Sequence, residues 1–196
     1  MKSFPLYLDL EKGTVLLTGS GYLLRQRLGK LRALGAELRV FTEDDLPEET
    51  VIRGHMTEAD LEDRPLFVAA AGLSEQESRR VFALCTARGI PVNVADMPKL
   101  CTFYFPAVLQ RGALTVAVGT NGVYPAAAAL IRDRLEDRIP DRTEEILLWA
   151  QTLRLRLREE IPDAKLRSTF LRQFMAAALE QNRPLTEEEL QNHLYA

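Results

Sequence analysis

Residues Val15–Leu24 read V-L-L-T-G-S-G-Y-L-L, and this stretch constrains the chain more than any other. An apolar run ends at Thr18, Gly19 and Gly21 make a tight turn, and a helical pattern follows. Strand, glycine turn and helix in that order form the phosphate-binding corner of a dinucleotide fold. Glycines let backbone approach a pyrophosphate, and the helix N-terminus offers N–H groups and a positive dipole end. The third position of the G-x-G-x-x-G pattern is Leu24, where glycine or alanine lets helix and strand pack closely. A leucine there is expected to push them apart. The same residues also read as a βαβ corner that kept its turn and lost its ligand.

The rest of the first half alternates short apolar runs with helical patterns, which predicts a parallel α/β sheet. Strands are expected at Thr14–Leu17, Glu37–Phe41, Val51–Arg53, Leu66–Ala70 and Val92–Val94. Helices are expected at Leu23–Leu34, stopped by Gly35, and at Glu75–Arg88, capped by Ser74 and closed by Gly89. The second half changes character. Leu114–Val118 reads as one more strand, and Pro125 opens a helix through Leu135. Glu144–Arg158, Lys165–Gln181 and Thr186–Leu194 read as helices, the last begun by a Thr186/Glu189 capping box.

Composition narrows the function classes. A net charge of −3 over 196 residues argues against a general binder of nucleic acid or membrane surfaces. Cys85 and Cys101 are the only cysteines, too few for the Cys-rich structural zinc sites. With no leader-like or long apolar segment, they fit a reduced, cytoplasmic protein. The only histidines are His55 and His193. His55 reads as an exposed loop residue or an Fe²⁺ ligand.

Several polar residues stand where chemistry could use them. Asp96 follows a strand and sits where open α/β sheets place ligands; it reads as a proton acceptor or as a turn cap. Asn93, inside an apolar strand, needs a partner, so it orients a loop or touches substrate. Glu43 lies about 20 residues past the glycines, where an acid bonds the adenosine ribose; Glu43-Asp44-Asp45 also reads as a solvated loop. Arg154 and Arg158 share a helix face, suited to substrate carboxylates or to surface ion pairs with Glu159 and Glu160.

Longer segments carry a resemblance. Phe4–Leu10 (F-P-L-Y-L-D-L), the glycine turn, Val92–Pro106 (V-N-V-A-D-M-P-K-L-C-T-F-Y-F-P) and Leu114–Pro125 (L-T-V-A-V-G-T-N-G-V-Y-P) are its main blocks. Arg132, Arg134, Leu135, Arg167, Phe170 and Phe174 extend it. On these residues the chain resembles the precorrin-2 dehydrogenase/sirohydrochlorin ferrochelatase family, which includes the N-terminal half of siroheme synthases. The resemblance implies an α/β fold with a Rossmann NAD-binding domain at 1–106, a dimerisation segment at 107–142 and a helical domain at 143–196. It implies a homodimer that oxidises precorrin-2 to sirohydrochlorin with NAD and inserts Fe²⁺. Asp96 falls on the family's key aspartate. NAD is expected along Gly19, Ser20, Gly21, Tyr22 and Leu23, with Glu43 and Asp44. The tetrapyrrole is expected near Asn93, Asp96, Thr120, Asn121 and Gly122.

The sequence also departs from the family. Besides Leu24, the fourth strand ends Ala69-Ala70-Ala71-Gly72 where a hydroxyl and a polar side chain are usual. Met97 replaces an aspartate, Tyr124 a serine and Ala129 an arginine, and the Ser-Ser-Gly-Gly turn reads Gly119-Thr120-Asn121-Gly122. These changes give an alternative expectation: a member without NAD use, acting as a chelatase or a tetrapyrrole-binding scaffold.

Overall fold

The computed structural model of the protein describes residues 3–47 and 51–194. The chain divides into two compact units, Met1–Phe105 and Pro106–Ala196.

The first unit runs β1 (Val15–Gly19), α1 (Gly21–Ala33), β2 (Leu38–Thr42), β3 (Val51–Arg53), β4 (Phe67–Ala71), α2 (Glu75–Ala87), β5 (Val92–Val94). The strands form one sheet in the order β3-β2-β1-β4-β5, and every pairing is parallel. β1 is buried along its whole length, as a strand covered on both faces must be. Alternation sends Val15 and Leu17 to a core shared with Leu24, Leu28 and Leu31 of α1. Leu16 goes to the opposite core, with Val81 and Cys85 of α2. Chain order reverses between β1 and β4, and that reversal opens a crevice at their carboxyl ends.

Leu24 packs into the core between α1 and the sheet. It is fully buried, in the same cluster as Val15, Leu17 and Ala69. The facing β4 supplies alanine where a larger residue would compete for the volume, so a large side chain on the helix meets a small one on the sheet.

In the second unit β6 (Ala107–Arg111) and β7 (Leu114–Val118) form an antiparallel hairpin, followed by α3 (Pro125–Glu136), α4 (Thr143–Glu160), α5 (Ala164–Gln181) and α6 (Glu187–Leu194). β6 was not expected from the sequence. Its signal is the two-residue loop Gly112-Ala113, with Gly112 at φ +55°, the conformation a tight hairpin needs at its first loop position. Ile146, Leu153 and Leu157 of α4 pack with Phe174 and Ala178 of α5, and with Leu185 and Leu190. The expected capping box forms: Thr186 Oγ1 accepts from the Glu189 N–H (3.3 Å), and Glu189 Oε2 accepts from the Thr186 N–H (2.7 Å). Segments 107–142 and 143–196 both lie in the unit Pro106–Ala196.

Candidate functional site

Two turns at the carboxyl edge of the parallel sheet carry most of the expected site residues. The first joins β1 to α1. The Ser20 N–H donates to the Ala71 carbonyl (3.0 Å), and the Ser20 hydroxyl to the Gly72 carbonyl (2.9 Å). The backbones interlock so closely that a Cβ on Gly19 would lie 1.7 Å from the Ala71 oxygen, and one on Gly72 2.1 Å from the Ser20 oxygen. Gly72 is therefore required by its neighbour; the loss of a polar side chain there goes with this close approach. Gly21 differs. Its φ is +70° and nothing lies within 4 Å of where a Cβ would stand, so its outer face is open to a ligand.

An acid just past the end of β2 reaches this turn, and it is Asp44. Its Oδ2 accepts from the Gly21 N–H at 2.7 Å, lies 3.6 Å from Arg25, and the side chain is largely buried. A carboxylate on the first N–H of a helix is the charge that the dipole favours. Glu43, one residue earlier, is exposed, and its carbonyl accepts from Arg53. Tyr22 is exposed and Leu23 borders on exposed, both on the first turn of α1. The glycine turn, open on the outer face of Gly21 and with Asp44 on the first N–H of α1, has the form of a dinucleotide-binding corner.

The second turn follows β5. Asp96 is exposed and takes φ +61°, a left-handed conformation that is uncommon outside glycine and concentrates at functional sites. No hydrogen bond joins its carboxylate to another described residue, so it does not serve as a turn cap. The turn is held by other groups. Cys101 Sγ accepts from the Val94 N–H (3.3 Å) and lies 3.2 Å from the Val94 carbonyl and 3.4 Å from that of Met97. The Tyr104 hydroxyl donates to the Pro98 carbonyl (3.2 Å). Burial pushes the Cys101 thiol above its usual value, which keeps it protonated.

Asn93 is buried and both ends of its amide are engaged. Nδ2 donates to the Phe103 carbonyl (2.9 Å), and Oδ1 accepts from Arg27 (3.3 Å). It orients its surroundings. Phe103 and Phe105 pack edge-on against each other and against Phe67 of β4, with centroids 5.0–5.8 Å apart; this gives the F-x-F-P block a physical role. The Arg27 guanidinium lies 3.8 Å from the Phe105 ring centroid. Sequence reasoning missed Arg27. Its signal was a charge on the face of α1 that also carries Leu24, Leu28 and Leu31.

Other expected residues sort plainly. His55 is exposed, 3.5 Å from Glu77, and no cluster of three or more His, Cys, Asp or Glu side chains among the described residues is placed to hold a metal. Arg156, two residues from each of Arg154 and Arg158 and on another face of α4, pairs with Glu187 and Glu160. In the second unit, Thr120, Asn121 and Gly122 form the turn between β7 and α3, where the Thr120 hydroxyl accepts from the Tyr124 N–H (3.3 Å). Among the described residues no helix is long and apolar enough to cross a membrane.

Comparisons with known proteins agree with this geometry. The siroheme synthase of Thioalkalivibrio sulfidiphilus is 33% identical over 179 residues, 87% of this chain and 36% of that protein. That of Pseudomonas putida is 36% identical over 183 residues, 87% of this chain and 38% of that protein. The chain thus spans well under half the length of these relatives. A solved structure described as "SirC, precorrin-2 dehydrogenase" has the same fold, with TM-score 0.69 over 98% of both chains at 18% identity. The family described as "Putative NAD(P)-binding" matches residues 6–107, just over half of the chain. The Rossmann sheet, the interlocked glycine turn and that match together place this chain in the NAD(P)-binding family.

Proposed function

We propose that the chain oxidises precorrin-2 to sirohydrochlorin in siroheme biosynthesis, with Asp96 as the proton acceptor. The observation that carries this reading is the Asp96 carboxylate: exposed, without a hydrogen-bond partner, and fixed in a left-handed turn at the carboxyl end of β5. The names of its relatives, siroheme synthase and precorrin-2 dehydrogenase, support the substrate. Oxidation removes a hydride and a proton, giving sirohydrochlorin, a reduced nicotinamide and H⁺. The dinucleotide, when bound, supplies the hydride acceptor. The residues of this chain bind and orient: Gly21 leaves room for the pyrophosphate, and Asp44 at the end of β2 favours NAD over NADP, because its charge repels a 2′-phosphate. Asp96 takes the proton to water. Thr120–Gly122 contacts the tetrapyrrole.

The same base suits insertion of Fe²⁺ as substrate, since metal entry displaces pyrrole N–H protons. The chain works as a homodimer through residues 107–142. Val123, Tyr124, Leu130, Ile131 and Leu135 expose an apolar surface around α3 that a second copy would bury. Sedimentation at micromolar concentration should give a dimer; a monomer overturns that part. Two free thiols suit the cytoplasm. The test of the activity is anaerobic incubation with precorrin-2 and NAD⁺. Sirohydrochlorin absorbance with equimolar NADH is expected, and no product where a known enzyme turns over would overturn the reading.

A further inference from the structure

We propose that Arg27, stacked on Phe105 and oriented by Asn93, is the seat for one carboxylate of the tetrapyrrole. This rests on the reading above that the substrate is an acidic tetrapyrrole. Arg25, Arg39, Arg80 and Arg88 in the same unit each pair with a carboxylate. Arg27 pairs with none among the described residues. Its five N–H donors meet one neutral acceptor, Asn93 Oδ1 at 3.3 Å, while its flat face lies on an aromatic ring. A guanidinium drawn partly out of water is costly unless an anion compensates it. Burial pulls the Arg27 proton affinity below its usual value, and the nearby Asp96 charge only partly restores it.

Geometry favours the substrate over the cofactor. Arg27 lies six residues along α1 from Gly21, about 9 Å of helix rise. It bonds Asn93 of β5, the strand that leads into the Asp96 turn, whereas the cofactor corner is built from β1, β2 and β4. The ring and the amide hold the guanidinium in one plane. That is the arrangement for a forked, two-point hold on a carboxylate, which a lysine cannot reproduce. Held there, the tetrapyrrole would be registered against Asp96.

The test uses uroporphyrin, an octacarboxylate tetrapyrrole, as the probe, with binding read by fluorescence. Arg27→Gln should weaken uroporphyrin binding and raise the KM for precorrin-2 by about 10- to 100-fold, the range for one charged hydrogen-bonded contact. kcat, NAD affinity and the melting temperature should stay close to wild type. Arg27→Lys should fall between, and it serves as the folded control if the Gln protein is unstable. Unchanged uroporphyrin affinity and KM in both variants overturns the proposal. So does a loss confined to NAD binding, which would make the seat a phosphate site, or a loss confined to kcat, which would make Arg27 a positioning residue for Asp96. A wild type that binds uroporphyrin through Arg27 but leaves precorrin-2 unoxidised overturns the functional reading and keeps the seat.

Discussion

The turn after β1 and the turn after β5 stand on the same edge of one sheet and are built on opposite terms. At the first, polar groups are consumed internally: Ser20 by Ala71 and Gly72, the Gly21 N–H by Asp44. At the second, the backbone is clipped by Cys101 while the Asp96 carboxylate is left unbonded. A binding corner tolerates internal partners, because a ligand can exchange with them. Each hydrogen bond to a carboxylate lowers its proton affinity, so a carboxylate left unbonded is the better proton acceptor. The difference supports the proposal that the first turn holds a ligand and the second does the chemistry.

Substitutions can break that division. The largest effect belongs to Gly19→Ala, whose Cβ would stand 1.7 Å from the Ala71 oxygen. It should cost about 4 kcal/mol or more of stability, read by urea denaturation. A folded, fully stable Gly19→Ala protein would show that the two loops are not interlocked. Leu24→Ala comes next. It deletes a fully buried side chain and should cost about 2–5 kcal/mol by the same measurement. Tighter NAD binding without loss of stability would restore the expectation that this leucine crowds the corner. Thiol labelling sharpens the contrast further. Burial holds Cys85 at about 12 and also raises Cys101, so at pH 8 both should react far more slowly in the native protein than in denaturant. Rapid native labelling of Cys101 would mean that the clip on the Asp96 turn is open. The smallest effect lies in the second unit. The hydrogen bond from Arg183 holds Glu189 down at about 2. Because the folded value is depressed, its stabilising contribution is full above the ordinary 4.5 and is lost as pH falls through about 2. The melting-temperature gap between wild type and Glu189→Gln should close over that interval; a constant gap would place its cause elsewhere.

Periodicity made most of the framework legible. The run at β1, the leucine spacing of α1, the Ser74 cap and the Thr186/Glu189 box all follow from local rules, and all are present. What local rules miss is what faces across the sheet. Leu24 reads as a defect until Ala69 is seen in the same core. Gly72 reads as a lost side chain until Ser20 is found against it. Glu43 and Asp44 are indistinguishable by spacing, yet only Asp44 reaches the glycine turn. Asp96 was legible as a candidate from its place after a strand. That its carboxylate is free required the packing of Cys101 and Tyr104. β6 was missed because a half-buried hairpin strand, A-V-L-Q-R, has too weak an apolar pattern to stand out.

Asp96→Asn tests the division of labour most directly, because asparagine tolerates the left-handed backbone as well as aspartate does and only the base is lost. The measurement pairs NAD affinity with the rate of sirohydrochlorin formation in one preparation. The account predicts a rate lower by about 10²-fold or more, with NAD affinity and melting temperature near wild type. A near-normal rate, or a fall in rate matched by an equal loss of NAD affinity or of folded protein, would contradict it.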